Sequence, residues 1–269
     1  MDCHDAQGIP GRRGSIKTDR MSATHTFGAT EPKRALHHGR WDFVAMSAGT
    51  ILLAAAAFLP SLVNPMHRRA PLSPLIAVHG VIFTGWLLFF VVQATLIATS
   101  RAQLHRRLGM ISVGFAVLMV VIGYKAAVAL TSRGFDLSGD LNVQADPLAN
   151  LVFPLGDLVT FVVLFAMGLV YRHRPAIHKR FMLLATVGMM TPSSLAHFVG
   201  HNFRSMPGVF LPLLAIVFFS PALYDRMRWG RFHRVTLWGG ILLFSWGNAR
   251  ALVIGPSAAW KQFAAWLIR

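Results

Sequence analysis

Seven long apolar runs constrain this chain more than any other feature of its sequence. A bilayer core about 30 Å thick needs about 20 largely apolar residues for each helix that crosses it. Runs of that kind cover approximately residues 43–63, 75–98, 109–131, 151–171, 181–199, 208–224 and 235–255. The sixth contains Pro212 and Pro221, which membrane helices tolerate when neighbouring helices satisfy the freed backbone groups. The runs therefore predict an all-α bundle of seven transmembrane helices.

The composition supports a lipid environment. Hydrophobic residues make up 54% of the 269 residues and charged residues only 13%, whereas about 25% of the residues in a soluble domain are charged. The formal net charge of +16 does not indicate a nucleic-acid partner, because the basic residues lie between the apolar runs instead of along one face. The lipid bilayer is the expected partner.

The positions of Lys and Arg predict the orientation, because cytoplasmic loops carry an excess of both. Alternate connections are rich in them, and the four rich segments are 1–41, 101–107, 172–180 and 226–234. We therefore expect a cytoplasmic N-terminus and an outer C-terminus in a bacterial inner membrane. The expected domains are a disordered basic tail (1–41), the seven-helix domain (42–255) and a short amphipathic helix lying on the interface (256–269).

Ionisable residues within the spans are candidate functional groups, because burying a charge in lipid costs at least about 2.5–3.5 kcal/mol. Lys125 and Asp157 are expected at similar depth on neighbouring helices, and this predicts an ion pair between them. With Arg250, and with His79 and His197 at comparable depth, they define an expected outward-facing polar cavity. The alternative is that Lys125 and Asp157 form a buried ion pair whose only role is to fix the packing of two helices.

Histidines near the helix ends are candidate cofactor ligands. A haem held by two histidines needs imidazoles at equal depth on facing helices. His79 could face His197 or His201 on the outer side, and His105 could face His178 on the inner side. His197 and His201 are four residues apart, a spacing that places both on one helix face and suits a metal ion, although interfacial anchoring explains such histidines as well.

Other chemistries find little support in the sequence. It has no Gly-rich phosphate loop and no Gly-x-Ser-x-Gly elbow, and Asp157 is the only carboxylate expected at membrane depth. The seventh run has no lysine for a retinal Schiff base. No catalytic residue is therefore assigned.

Two segments carry a resemblance to known proteins. They are Leu104-His105-Arg106-Arg107-Leu108-Gly109 and His178-Lys179-Arg180-Phe181-Met182-Leu183-Leu184-Ala185-Thr186, with His79-Gly80, Trp86 and Gln93 upstream. Over about residues 40–255 the chain resembles a family of uncharacterised bacterial multi-pass membrane proteins. More distantly, His79, His105, His178 and His197 resemble the haem-ligating histidines of membrane b-type cytochromes, which implies haem b. Similar His-Lys/Arg helix starts occur in small membrane proteins that assist the assembly of respiratory oxidases.

These observations favour a haem- or metal-binding redox protein of the respiratory membrane, with possible respiratory-chain partners. Two alternatives stay open. One is a small-solute transporter or sensor that uses the polar cavity, and the other is a structural or assembly subunit of a membrane complex.

Overall fold

A computed structural model describes residues 31–64, 73–134, 146–203 and 206–269, without the side chains of 31–40, 201 and 207. Within these ranges the structure is helical and contains no strand, which confirms the all-α prediction. The helices are α1 (Glu31–Val63), α2 (Pro74–Ala98), α3 (Ala102–Ser132), α4 (Pro147–Val170), α5 (Pro175–Asn202), α6 (Phe210–Trp229), α7 (Arg234–Ala249) and α8 (Ala258–Leu267). The first seven are long and apolar enough to cross a membrane. The protein is therefore an integral membrane protein with seven candidate spans.

Three predicted boundaries differ from the structure. Helix α1 begins at Glu31, although its membrane-capable part begins at Trp41. Helices α3 and α5 begin before the apolar runs that predicted them, so His105 and His178 lie inside helices. The expected disorder of the N-terminal tail concerns mainly residues 1–30, which lie outside the described ranges, and stays a prediction.

Helix α5 lies at the centre of the bundle. In its most apolar stretch 72% of the residues are buried, against 28% or fewer in the corresponding stretch of each other span except α4. It packs against α1, α4, α6 and α7. Glycine residues allow the close approach of α5 and α7. A Cβ atom at Gly188 on α5 would lie 2.7 Å from Leu243 Cδ2 on α7, and a Cβ atom at Gly239 on α7 would collide with Leu184 on α5.

Trp86 joins α2 to the centre of the bundle. Its ring meets Phe115 and Phe161 edge to face, and its Nε1 donates a hydrogen bond of 3.2 Å to Thr186 Oγ1 on α5. A buried indole N–H needs such a partner. The aromatic core and the polar contact therefore fix α2, α3, α4 and α5 relative to one another.

The C-terminal helix α8 packs on the start of α4. Trp260 Nε1 donates to Leu148 O at 2.9 Å, Lys261 Nζ lies 3.2 Å from Asp146 Oδ2, and Ala264 is buried. Phe263 and Trp266 remain exposed. The helix is amphipathic, as its sequence indicates, while its position at a lipid interface stays a prediction.

Candidate functional site

The structure brings His105 and His178 together at one end of the bundle. Each is the fourth residue of its helix, α3 or α5, and these two helices begin on the same side because α4 runs back between them. The ring centroids are 6.2 Å apart and the ring planes are inclined by 82°. This is the inner pairing that the sequence predicted; the role of the two residues as cofactor ligands stays a prediction.

Backbone carbonyl groups hold one nitrogen of each ring. His178 Nδ1 lies 2.8 Å from Gly168 O on α4, and His105 Nδ1 lies 3.3 Å from Gln93 O on α2. When Nδ1–H donates to a carbonyl, the lone pair of the neutral imidazole is on Nε2. For His178 this arrangement places the lone pair on Nε2, whereas the tautomer of His105 also depends on the Gln93 side chain.

The side chain of Gln93 is a further element of this site. It is only 8% exposed, and its amide lies against His105 and the Gly109 N–H. The signal for its importance was a single amide within the otherwise apolar α2, where polar residues often bond across helices. The sequence analysis noted Gln93 only as part of the resemblance and missed its contact with His105.

Cationic side chains surround the same end of the bundle. Arg106 and Arg107 follow His105, while Arg172 and Arg174 precede His178, and all four are exposed. The Arg174 guanidinium lies 5.9 Å from the centre of the Tyr171 ring. Anionic groups of a bound ligand would find several partners here.

The histidines that were expected on the outer side occupy different surroundings. The His79 ring lies 4.0 Å from that of Phe83, one turn along α2, and His197 stacks on Phe58 of α1 at 4.9 Å. The side chain of His201 lies outside the described part of the chain, so its metal pairing with His197 stays a prediction. In the described ranges, no group of three or more His, Cys, Asp or Glu residues could hold a metal ion.

Asp157 forms an ion pair with Arg250, so the expectation that its partner is Lys125 is wrong. Arg250 Nη1 lies 2.7 Å from Asp157 Oδ1 and donates at 2.8 Å to Phe153 O. Both charged side chains are buried, whereas Lys125 is exposed. Two of the five expected cavity residues, Asp157 and Arg250, are thus together, and Lys125 lies on the surface of the bundle.

Local backbone features explain this choice of partner. A Cβ atom on residue 156 would lie 2.5 Å from Arg250 Cδ, so the absence of a side chain at Gly156 makes room for the arginine. Arg250 also begins a π-helical turn, Arg250–Ile254, at the end of α7. Such turns change the direction of side chains and are not visible in hydrophobic periodicity.

A second buried carboxylate, Asp225, lies near the end of α6, on the same side of the bundle as the starts of α3 and α5. Asp225 accepts hydrogen bonds from Arg180 Nε (3.0 Å), from Arg180 Nη2 and from Thr236 Oγ1 (2.6 Å). Arg180 Nη1 donates to Ala176 O at 2.6 Å. These bonds connect α5, α6 and α7 and leave the carboxylate well satisfied.

Comparison with known proteins finds no matching family model, no matching curated protein and no matching solved structure.

Proposed function

We propose that this integral membrane protein binds one haem b between His105 and His178 and serves in electron transfer. The observation that carries the proposal is the juxtaposition of the two imidazoles, from two parallel helices, at the same depth. Two axial histidines suffice for a low-spin haem, so the lack of a larger ligand cluster among the described residues does not count against it.

The separation of the rings suits this role. With metal–nitrogen bonds of about 2.0 Å, and about 1.1 Å from nitrogen to ring centre, two imidazoles that hold one metal ion between them would have centres about 6.2 Å apart. The observed separation is 6.2 Å. Edge-to-face aromatic packing covers the same range of distances, and a haem spectrum distinguishes the two.

The hydrogen bonds around the rings also support the proposal. A histidine that binds a metal usually donates its other ring N–H to a carbonyl or carboxylate group, which fixes the tautomer. Gly168 O can take this role for His178, and Gln93 O, at 3.3 Å, can take it for His105 when the ring proton is on Nδ1. The exposed arginines on this rim are suitable partners for haem propionates.

Bound haem would supply one-electron redox chemistry near one face of the membrane. The chain's own residues orient the ring nitrogens and surround the site with positive charge. The Lys and Arg distribution favours the cytoplasmic side of a bacterial inner membrane for this face. A partner from the respiratory chain would fit that position.

The transporter or sensor alternative receives less support. It needs His79, Lys125, Asp157 and Arg250 around a common space, but Asp157 and Arg250 pair with each other and Lys125 is exposed. An assembly role predicts a stoichiometric protein partner and no absorbance.

The test is an optical titration of the detergent-purified protein with ferric haem b. We expect a saturable Soret band at one haem per chain, and a sharp α band on reduction. His105→Ala and His178→Ala should each abolish the six-coordinate low-spin spectrum, because each removes one axial ligand. The matched control is His173→Ala, which removes an exposed histidine from the same rim.

A titration without saturable haem binding contradicts the proposal. So does a spectrum that survives both ligand variants unchanged. If His79→Ala and His197→Ala remove the spectrum instead, the haem site lies at the opposite end of the bundle from His105 and His178.

A further inference from the structure

The Gln93 side chain lies beside Nδ1 of His105. This is the ring nitrogen that would not bind the haem. One terminal atom of its amide is 2.5 Å from His105 Nδ1 and 3.2 Å from His105 O, and the other is 3.2 Å from Gly109 N. Because His105 and Gly109 are four apart on α3, the amide spans one helical turn at the ligand position. The side chain is buried, so water does not replace these bonds freely.

The direction of this amide and the tautomer of His105 depend on each other. With Nε2 of Gln93 towards His105, the amide donates to Nδ1 and to the backbone oxygen, and its oxygen accepts from Gly109 N–H. Nδ1 is then an acceptor, and the neutral ring carries its proton on Nε2. That tautomer has no Nε2 lone pair for a metal.

The other arrangement restores the ligand. If the ring proton is on Nδ1, it can donate to Gln93 O or to the side-chain oxygen of a reversed amide, which then loses its hydrogen bonds with His105 O and Gly109 N. Nε2 then carries the lone pair. At His178, by contrast, Nδ1 lies 2.8 Å from a backbone acceptor, Gly168 O.

We propose that Gln93 is a positioning residue that sets the tautomer of His105 and thereby the ligand strength of the His105–His178 pair. This inference rests on the proposed haem site. An acceptor-only side chain at position 93 should fix the metal-binding tautomer and increase the electron donation of the ring, because a carboxylate behind a ligand histidine raises its basicity.

The experiment compares reduction potentials of haem b in the full-length protein and in Gln93→Glu. We expect ferric haem to gain about tenfold over ferrous haem in relative affinity, which is a negative shift of about 59 mV for one electron. The matched control is Gln103→Glu, which adds the same charge two residues before His105 on an exposed position of α3. This control separates a hydrogen bond to Nδ1 from a general effect of negative charge.

Gln93→Met provides a neutral test in case the carboxylate prevents folding. It removes the competing donor and leaves the Gln93 carbonyl for Nδ1–H, so haem affinity should equal or exceed that of the parent protein. Equal shifts in Gln93→Glu and Gln103→Glu, or loss of haem in a monodisperse Gln93→Met protein, would overturn the role of Gln93 while the parent spectrum still supports the haem site. Absence of haem from the parent protein would overturn the proposed function as well.

Discussion

The buried guanidinium of Arg250 is stabilised by its contacts with neighbouring groups. Its guanidinium pairs with Asp157, donates to Phe153 O, and lies over the rings of Phe153 and Trp246 at 5.7 and 5.5 Å. Aromatic faces and a carbonyl are favourable neighbours for a desolvated cation. Removing the carboxylate alone would leave the cation buried without its counter-charge.

We therefore predict that Asp157→Asn lowers the free energy of unfolding by about 3–5 kcal/mol, the cost of breaking a buried pair on one side. The measurement is reversible denaturation in detergent micelles. The control is Asp146→Asn, which breaks the half-exposed pair with Lys261 and should cost about 1 kcal/mol or less. Equal costs for the two variants would show that burial does not govern the Asp157 pair.

His233 caps the first turn of α7 in its neutral form. Its Nδ1 accepts a hydrogen bond of 3.2 Å from Val235 N. Partial burial, and after it the charge of Arg180, lower the pKa of His233 below the ordinary value of 6.5; Lys179 and Arg231 act in the same direction, and Asp225 opposes them. Protonation removes the acceptor that the cap requires.

The sign of the pH effect follows from this lowered pKa. The unfolded chain binds the proton more readily, so the stabilisation is complete above pH 6.5 and is lost as the pH falls towards the folded-state pKa. We predict that His233→Asn, which keeps a capping oxygen but does not titrate, reduces the dependence of thermal stability on pH in this window. An unchanged pH profile would exclude His233 as its source.

At the scale of elements, glycine positions decide how closely α4 approaches the end of α7. Gly156→Ala should displace Arg250, because the new Cβ would lie 2.5 Å from its Cδ. We expect a loss of stability despite the higher helix propensity of alanine, which favours the substitution by about 1 kcal/mol. Gly114→Ala on α3 is the control, since no atom lies within 4 Å of the new Cβ, and it should be neutral or stabilising.

Helix positions were easier to predict than helix starts and partners. Bilayer thickness requires long apolar runs, and these gave the seven spans directly. The apolar runs predict late starts for α3 and α5, because His105-Arg106-Arg107 and His178-Lys179-Arg180 interrupt the apolar pattern while their backbone is already helical. Long cationic side chains can extend to the interface while their backbone stays helical, so charge does not mark a helix end.

The pairing of residues between helices could be predicted only in part. His105 and His178 share a position relative to the starts of two parallel helices, so equal depth sufficed to bring them together. Lys125 and Asp157 also share a depth, but the rotation of α3 directs Lys125 away from the interior. Rotation depends on the packing of all neighbours, and neither Gly156 nor the π-helical turn at Arg250 signals its partner in the sequence.

At the scale of the whole molecule, we expect seven spans to place the two ends on opposite sides of the membrane. Single-cysteine proteins in which Cys3 is replaced provide the test. Ser132→Cys, at the end of α3, should react with a membrane-impermeant maleimide from outside the cell. His173→Cys, between α4 and α5, should react only after permeabilisation; the reverse pattern would place the His105–His178 site on the outer side.

Low-temperature electron paramagnetic resonance of the ferric, haem-loaded protein tests the central claim most directly. Two nearly perpendicular imidazoles, as the 82° between His105 and His178 implies, predict a strongly anisotropic low-spin signal. In His178→Ala this signal should give way to a high-spin signal of five-coordinate haem. A high-spin signal in the parent protein, or a low-spin signal that persists in His178→Ala, would contradict the assignment of this pair as the haem ligands.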